Sequence, residues 1–232
     1  MKKPLQNIFV IIPAYNESAS IAKVIHAIPA FVTEVIVVNN ASTDATVQVA
    51  ENAGATVINE FKTGYGNACL KGIDYLKAKA ETKDIVVFLD GDFSDYPHEM
   101  DLLISPIREN EIDMVIGSRV LGNRQIGSMM PQQIFGNWLA TKLIKLFYSA
   151  EFTDLGPFRA ISWDALSQLK MNDKTYGWTV EMQVKAAKQK LKFTEVAVSY
   201  RKRIGVSKVS GTIKGSVLAG YKILFTIFKN LI

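Results

Sequence analysis

The amino-acid sequence predicts an α/β fold in which a mostly parallel β-sheet is flanked by helices. The first observation is that short apolar segments rich in Val and Ile alternate with helix-like segments in the first half of the chain. The second is that polar loops follow three of these segments. Strands that alternate with helices are joined by right-handed crossovers, which make them parallel. A length of 232 residues suits one large α/β domain, or one domain with an appendage.

The first half of the chain predicts four buried strands and three helices. Each strand segment is a short apolar run, and turn-forming residues follow it. Ser18 is predicted to be the N-cap of the first helix, because its hydroxyl can accept a hydrogen bond from the first turn. The predicted strands are residues 7–12, 34–38, 55–59 and 84–89, and the predicted helices are residues 18–28, 45–53 and 67–80.

The second half continues this pattern less regularly. After a helix at residues 98–110 and a strand at residues 113–117, glycines and a proline indicate a mobile loop at residues 120–131. Residues 154–159 are predicted to form a second loop that leads into a short strand, and residues 193–200 alternate as an edge strand does. The other predicted helices are residues 135–149, 164–169 and 179–189.

The last segment, residues 216–232, is strongly apolar but contains Lys222 and Lys229. It is shorter than the roughly 20 apolar residues that a membrane-spanning helix needs. We therefore predict an amphipathic helix that lies on a bilayer surface or packs on the domain. The predicted division is a main domain, residues 1–212, and a C-terminal amphipathic helix, residues 213–232.

Charge and cysteine content narrow the functional classes. The net charge is +5, and residues 185–229 contain eleven Lys or Arg residues against one acidic residue, Glu195. A basic region of this kind usually binds phosphate groups of a nucleotide, a nucleic acid or an anionic lipid. The single cysteine, Cys69, excludes an internal disulfide and fits a reducing compartment. Because no signal-peptide core follows the first residues, we expect a cytoplasmic protein.

Asp90-Gly91-Asp92, directly after the strand at residues 84–89, is the strongest candidate for a functional site. Two carboxylates this close raise each other's pKa unless a cation or hydrogen-bond donors lie between them. Mg²⁺ and Mn²⁺ take oxygen ligands and commonly bridge a carboxylate to substrate phosphates. By itself, however, the motif is more often a strand closed by an Asp-Gly turn, so both interpretations stay open at this point.

Neighbouring loops favour the metal–diphosphate interpretation. Ligands of open α/β sheets bind beyond the carboxyl ends of the strands, so we expect the polar loops at residues 13–17, 39–44 and 90–95 to meet in one crevice. Lys62 and Gly66, on the approach to the third helix, are predicted to lie near the phosphates. A dehydrogenase is excluded, because the Gly-x-Gly here does not follow the first strand and lacks the third small residue of the dinucleotide fingerprint.

Six motifs in order resemble family 2 glycosyltransferases with the GT-A fold, over roughly residues 8–208. The first three are Pro13-Ala14-Tyr15-Asn16-Glu17, Val38-Asn39-Asn40-Ala41-Ser42-Thr43-Asp44 and Asp90-Gly91-Asp92. The last three resemble the dolichol- or polyprenyl-phosphate sugar synthase branch, and they are Gly117-Ser118-Arg119, Gly156-Pro157-Phe158-Arg159 and Arg203-Ile204-Gly205-Val206-Ser207-Lys208. Relatives usually have Asp-Asp in place of Asn39-Asn40, and an amide keeps an acceptor while adding a donor.

The resemblance implies a metal-dependent, inverting transfer of a sugar from a nucleoside-diphosphate sugar to a polyprenyl phosphate. It implies that Asp90 and Asp92 bind Mg²⁺ or Mn²⁺, with Ser94 as a third ligand where relatives often have Gln. The residues implied for the donor diphosphate and the acceptor phosphate are Arg119, Arg159, Arg203 and Lys208. The predicted nucleotide-sugar-binding residues are Pro13, Ala14, Tyr15, Glu17, Val38, Asn40, Lys62, Gly66, Asp90, Gly91 and Asp92.

The chemistry leaves the acceptor open. A phosphate acceptor is already an anion and needs positioning, whereas a saccharide or small-molecule hydroxyl acceptor would need a general base. Asp154 and Glu181 are the candidate bases, each equally explained as a structural residue, and we count Asp154 with Asp90, Asp92 and Arg119 as candidate catalytic residues. Trp178 is predicted to be a core aromatic or a lid residue, and the only histidines, His26 and His98, are predicted to be structural or exposed.

Two other protein classes fit less well. A sugar-nucleotidyltransferase would carry glycine and basic residues after the first strand, and residues 13–17 have neither. A protein that binds nucleic acid through its basic end is disfavoured, because the paired carboxylates would repel phosphate unless a metal intervenes. We therefore expect a sugar donor, a polyprenyl-phosphate or other acceptor and a membrane surface as partners, no nucleic acid, and a peripheral location at the cytoplasmic face of a membrane.

Overall fold

A seven-stranded sheet covered by helices is the framework of the molecule in the computed structural model, which describes residues 6–110, 112–205 and 213–231. The strands are β1 (Ile8–Ala14), β2 (Glu34–Asn39), β3 (Thr56–Asn59), β4 (Ile85–Phe88), β5 (Met114–Ser118), β6 (Arg159–Ser162) and β7 (Phe193–Ala197). The helices are α1 (Ile21–Ala27), α2 (Thr46–Asn52), α3 (Tyr65–Leu76), α4 (Met100–Asn110), α5 (Pro131–Tyr148), α6 (Trp163–Leu169), α7 (Trp178–Lys188) and α8 (Ile213–Lys229), with a 3₁₀ turn at Pro97–Glu99. The predicted α/β class is confirmed.

The sheet has the strand order β3-β2-β1-β4-β6-β5-β7. All neighbouring strands are parallel except β6, which is antiparallel to both β4 and β5. The mostly parallel arrangement is as predicted, and β7 is an edge strand as its alternating pattern indicates. β7 ends at Ala197 rather than at residue 200, because Tyr200 pairs separately with Asp95 and Arg124 outside the sheet.

β1 is at the centre of the sheet and is buried from both sides. Ile8, Val10 and Ile12 pack into the apolar cluster that includes α1 and α4, whereas Phe9 and Ile11 pack into the cluster that includes α3 and α7. A central parallel strand covered on both faces has no solvated side, which explains its unbroken apolar sequence. Burying each of these side chains contributes about 1.5–3 kcal/mol before entropy is counted.

Two helices begin at places that the sequence patterns do not predict. α1 begins at Ile21 rather than at Ser18, because the Glu17 carbonyl accepts hydrogen bonds from the amides of Ser20 and Ile21 and forms a turn first. α5 begins at Pro131 rather than at residue 135, since proline suits the first helical position. The other predicted elements are present, with ends shifted by up to four residues.

α8 packs on the domain with one face and exposes apolar residues on the other. Ile227 is fully buried, and its carbonyl accepts a hydrogen bond from the Tyr148 hydroxyl of α5. Lys222 forms a 3.0 Å ion pair with Asp173. No helix in the described part of the chain is long and apolar enough to cross a bilayer. The predicted domain boundary between residues 212 and 213 is at the edge of a segment, residues 206–212, outside the described residues.

Candidate active site

The carboxyl ends of β1, β2 and β4 border one cavity of about 680 Å³. The first two loops are joined directly, because the Asn40 amide donates to the Ala14 carbonyl at 2.8 Å and the Asn16 amide donates to Ser42 Oγ at 3.0 Å. The expected convergence of the three loops is therefore observed. The predicted site residues that line the cavity are Pro13, Ala14, Tyr15, Glu17, Asn40, Asp90, Gly91, Asp92, Arg119 and Arg203.

The carboxylates of Asp90 and Asp92 each have partners inside the protein. Asp90 Oδ1 accepts a hydrogen bond from the Tyr65 hydroxyl at 3.1 Å. Asp92 Oδ2 forms a 2.9 Å ion pair with Arg203 Nη2. Ser94, predicted to be a third metal ligand, instead donates its hydroxyl to Asp92 Oδ1 at 2.5 Å and its amide to the same oxygen at 2.9 Å. Ser94 thus fixes the orientation of Asp92.

The donor set at the strand end fits a divalent cation that is shared with a ligand. Burial and, secondarily, the Asp92 carboxylate raise the pKa of Asp90 to about 6. Within the described ranges, no group of three or more His, Cys, Asp and Glu residues could hold a metal alone. Mg²⁺ is usually bound by one or two carboxylates together with substrate phosphates. The two carboxylates of Asp90 and Asp92 would therefore suffice to hold a divalent cation only if a bound substrate supplied phosphate oxygens as further metal ligands.

Arg201 binds the loop that contains Asp92 and so holds this loop against the segment that contains Arg203. Its guanidinium stacks on the ring of Phe93 at 3.4 Å and on that of Tyr96 at 4.2 Å. Its Nε also donates to the Phe93 carbonyl at 2.6 Å. Phe93 has a φ of 63°, a conformation that non-glycine residues rarely adopt without such support. These contacts bring Arg203 to the carboxylate of Asp92.

Arg119 is held in a fixed orientation by Asp154. The Asp154 carboxylate accepts hydrogen bonds from the backbone amide, Nε and Nη2 of Arg119 at 2.7–2.8 Å. Burial opposes the charge of Arg119, but the Asp154 carboxylate outweighs it and raises the pKa of the guanidinium. Because both oxygens of the fully buried Asp154 are occupied, its contacts are those of a residue that orients Arg119 rather than those of a general base.

Glu181, the other predicted base, is also fully occupied. Its carboxylate is buried, accepts hydrogen bonds from the amides of Asn172 and Asp173, and forms a 2.8 Å ion pair with Lys185. These contacts make it an anchor for the loop before α7. A carboxylate with this many partners is poorly placed to accept a proton from a substrate.

The aromatic and histidine predictions also have clear outcomes. Trp178 is buried and contacts the Phe88 ring edge-on at 5.8 Å, so it is a core residue and not a lid. His26 and His98 are exposed and do not line the cavity.

Arg159 does not reach the cavity, although the resemblance implies a phosphate-binding role. The residue is completely buried, and its guanidinium donates to the backbone carbonyls of Leu155, Gly156 and Thr179. Burial lowers the pKa of Arg159 to about 10. Three backbone carbonyls accept hydrogen bonds from the Arg159 guanidinium, so Arg159 links the loop before β6 to α7 and has the contacts of a structural residue.

Three predicted nucleotide-sugar-binding residues are also away from the cavity wall. Val38 is buried within β2. Lys62 is exposed on the loop between β3 and α3, and neither residue lines the cavity. A Cβ atom on Gly66 would be 2.1 Å from the Asp173 carbonyl, so glycine is needed there for close packing rather than for phosphate. Lys208, predicted to bind phosphate, is outside the described residues.

Asn40 uses its amide to hold the loop that borders the cavity. Its Oδ1 accepts from the Gly64 amide at 2.7 Å, and its Nδ2 donates to the carbonyls of Lys62 at 2.8 Å and Glu60 at 3.1 Å. An aspartate could accept the first hydrogen bond but could not donate the other two. The departure from Asp-Asp at this position therefore has a structural explanation.

Several cavity residues escape prediction from the sequence. Tyr65, at the start of α3, donates a hydrogen bond to Asp90. In the sequence, only its position directly after Gly64 could have indicated a role near the site. The far wall comes from α5, from the segment just before it and from α8, and its members are Met129, Gln132, Gln133, Gly136, Asn137, Ala219, Gly220 and Ile223. These residues belong to no recognisable sequence motif. Their place in the cavity wall becomes visible only in the structure, where α5 and α8 pack side by side.

Comparisons with known proteins agree with this geometry. The sequence profile of Glycosyl transferase family 2 matches residues 9–169. An uncharacterized glycosyltransferase of Mycobacterium tuberculosis is 32% identical over 213 residues, which are 90% of this chain and 93% of that protein. An undecaprenyl-phosphate mannosyltransferase of Micrococcus luteus is 28% identical over 227 residues, which are 91% of this chain and 90% of that protein.

The fold also matches a solved structure. Glucosyl-3-phosphoglycerate synthase from Mycobacterium tuberculosis, in complex with Mn²⁺, uridine diphosphate and glucosyl-3-phosphoglycerate, aligns with a TM-score of 0.76 at 22% identity. The match covers 97% of this chain and 80% of that chain. At this identity the likeness concerns the fold, and it confirms the predicted GT-A arrangement.

Asp90→Asn is expected to stabilise the metal-free protein at alkaline pH. The folded-state pKa of about 6 is above the ordinary value of 3.8, so the charged carboxylate destabilises the fold fully above pH 6, and this effect disappears as the pH falls toward 4. We expect the variant to raise the free energy of unfolding by about 1–3 kcal/mol at about pH 8 and far less at about pH 4.5.

Urea unfolding at the two pH values, with a chelator present, measures this difference. Asp101→Asn, at an exposed position of α4, is the matched control and should change stability little at either pH. A stability of Asp90→Asn equal to that of the parent at about pH 8 would contradict the prediction.

Proposed function

The chain belongs to Glycosyl transferase family 2, and on that basis we propose that it transfers a sugar from a nucleoside-diphosphate sugar to a polyprenyl phosphate, with inversion. Membership of the family makes the protein a glycosyltransferase. The observation that carries the proposal is the pair Asp90 and Asp92 at the end of β4, facing one cavity together with Arg119 and Arg203.

The donor half of the proposal concerns the end of the cavity beside β1 and β2. Pro13, Ala14, Tyr15, Glu17 and Asn40 line this end and are the proposed surroundings of the nucleoside. Asp90 and Asp92 are the proposed ligands of Mg²⁺ or Mn²⁺. In support, the structurally similar synthase contains Mn²⁺ and uridine diphosphate.

The proposed chemistry divides between the metal and the basic residues. When bound, the metal supplies Lewis-acid stabilisation of the charge on the departing nucleoside diphosphate. Arg119, fixed by Asp154, is a rigid cation with nitrogen atoms that suit phosphate oxygens. Arg203 neutralises Asp92 and is the second cation on the cavity wall.

A phosphate acceptor is favoured over a hydroxyl acceptor by the state of the carboxylates. A hydroxyl would need a general base, and both candidates, Asp154 and Glu181, are occupied by internal partners. A phosphate is already an anion at neutral pH and needs only positioning. The similarity to an undecaprenyl-phosphate mannosyltransferase supports the same choice. The competing candidate is a small hydroxyl acceptor, because the structurally similar synthase forms glucosyl-3-phosphoglycerate.

A screen of nucleoside-diphosphate sugars against a prenyl phosphate and 3-phosphoglycerate, with product mass measured, tests the function. We expect a sugar–phosphate–prenyl product that requires Mn²⁺ or Mg²⁺, since the two carboxylates need a metal to approach a diphosphate. Asp92→Asn should lower this transfer by at least about a hundredfold, a loss of roughly 2.7 kcal/mol of transition-state stabilisation. Asp101→Asn should retain it. A product formed only with 3-phosphoglycerate, or full activity of Asp92→Asn, would contradict the proposal.

We further propose that the protein binds a membrane surface through the outer faces of α5 and α8. The two helices touch through the rings of Phe147 and Phe228, 5.4 Å apart. Both expose large apolar side chains, and these include Phe135, Trp138, Leu146, Val217, Leu218, Tyr221 and Phe225. Neither helix contains an acidic residue, and together they contain five lysines, which suits an anionic bilayer.

Removing apolar side chains from the outer face of α8 is expected to weaken vesicle binding. Val217 and Tyr221 are both 65% exposed, so replacing them with serine should leave the fold intact. We expect the double variant Val217→Ser, Tyr221→Ser to float less with phosphatidylglycerol vesicles than the parent chain, because it loses apolar area that the bilayer would bury.

Phe61→Ser is the matched control, because Phe61 is 83% exposed on the loop before α3. It should float like the parent chain. Equal flotation of the double variant and the parent would remove α8 from the membrane contact.

A further inference from the structure

We infer that Gly136 of α5 and Gly220 of α8 determine acceptor specificity, by keeping open a groove that takes the first isoprene units of a prenyl phosphate. The inference rests on the proposed function. Both glycines line the same cavity as Asp90 and Asp92, on its far wall. Arg119 and Arg203 also line this cavity, so a phosphate held by them would have its chain within reach of the far wall.

Packing does not explain either glycine. A Cβ atom added to Gly136 or to Gly220 would meet no atom within 4 Å in the described residues outside the adjoining residues and backbone of its own helix. Gly72 in the middle of α3 is different, because a Cβ atom there would be 2.7 Å from Ile11 Cγ2. Glycine inside a helix costs roughly 0.5–1 kcal/mol relative to alanine. Gly136 and Gly220 therefore weaken their helices without the close contact that justifies Gly72.

Backbone conformation does not explain them either. The positive-φ glycines of the described chain are Gly54, Gly64, Gly127 and Gly205, and all four are outside helices. Gly136 and Gly220 are inside α5 and α8. What distinguishes them is open space around each of two helical glycines that line the cavity.

The surroundings of this space suit an apolar chain rather than a sugar. The neighbouring Ala219 and Ile223 are apolar. Asn137 donates to the Thr153 carbonyl at 3.0 Å and accepts from the Leu155 amide at 2.8 Å, so its amide is already satisfied. Next to the glycines, Phe135 and Tyr221 are 61% and 65% exposed and extend the apolar surface outward. Gln132 and Gln133 also line this wall, but Gln132 already donates to Met130 Sδ at 3.3 Å and Gln133 already accepts from the Met130 amide at 2.8 Å. Next to the glycines, the wall therefore offers mainly dispersion contacts.

Leucine at either position is expected to fill the groove without disturbing the fold. We expect Gly136→Leu and Gly220→Leu to weaken binding of farnesyl phosphate roughly tenfold, which corresponds to displacing about two buried methylene groups. The affinity for the nucleoside diphosphate in the presence of Mn²⁺ should be unchanged, because the proposed donor end of the cavity is lined by residues that follow β1 and β2 and not by the two glycines. Equilibrium titration of each ligand measures the two affinities separately from turnover.

Two further variants make the result specific. Gly136→Ala and Gly220→Ala add only one methyl group and should change farnesyl-phosphate affinity far less than leucine does. Ser167→Leu, at an exposed position of α6 that does not line the cavity, should leave both affinities unchanged. Circular dichroism of all variants checks the fold.

The outcomes separate this inference from the proposed function. If the leucine variants bind and use farnesyl phosphate as well as the parent chain does, the glycine inference is overturned and the proposed function stands. If the parent chain neither binds nor uses farnesyl phosphate, both are overturned. Selective loss of farnesyl-phosphate binding in the leucine variants supports both.

Discussion

Asp90 and Asp92 follow a buried strand, and burial together with the nearby Asp92 carboxylate disfavours the charged form of Asp90. The surrounding contacts offset this cost. The Tyr65 hydroxyl donates to Asp90, the Ser94 hydroxyl and amide donate to Asp92, and the Arg203 guanidinium forms an ion pair with Asp92. Asp90 has no ion-pair partner in the described part of the chain, which suits the cation site that we propose there.

The cationic side of the cavity comes from the second half of the chain, and it is held as firmly as the carboxylates. Asp154 fixes Arg119 through three hydrogen bonds, and Arg201 ties the segment before residue 206 to the loop after β4 by stacking on Phe93. Asp154 is fully buried and Arg201 is partly buried, so the basic groups around the cavity have defined positions before any ligand arrives. Such preorganisation would lower the ordering cost of binding the diphosphate and the acceptor phosphate that we propose.

Local patterns in the sequence predict most of the sheet and the three converging loops, because apolar period and turn residues act over short distances. They do not predict contacts made between distant segments. Arg159 has the expected residue type for phosphate but donates to three backbone carbonyls, and Asn40 holds a loop through its amide. The wall that contains Gly136 and Gly220 exists only because α8 returns to pack on α5, which no local pattern indicates.

The dependence of metal binding on a diphosphate is the property that follows most directly from a site with two carboxylates. Titration of Mn²⁺ followed by electron paramagnetic resonance, with and without uridine diphosphate, measures it. We expect weak binding of Mn²⁺ alone and binding at least about tenfold tighter when the diphosphate is present, since its oxygens complete the ligand set. Equally tight binding of Mn²⁺ with and without the diphosphate would contradict this description of the site, as would binding unaffected by Asp90→Asn.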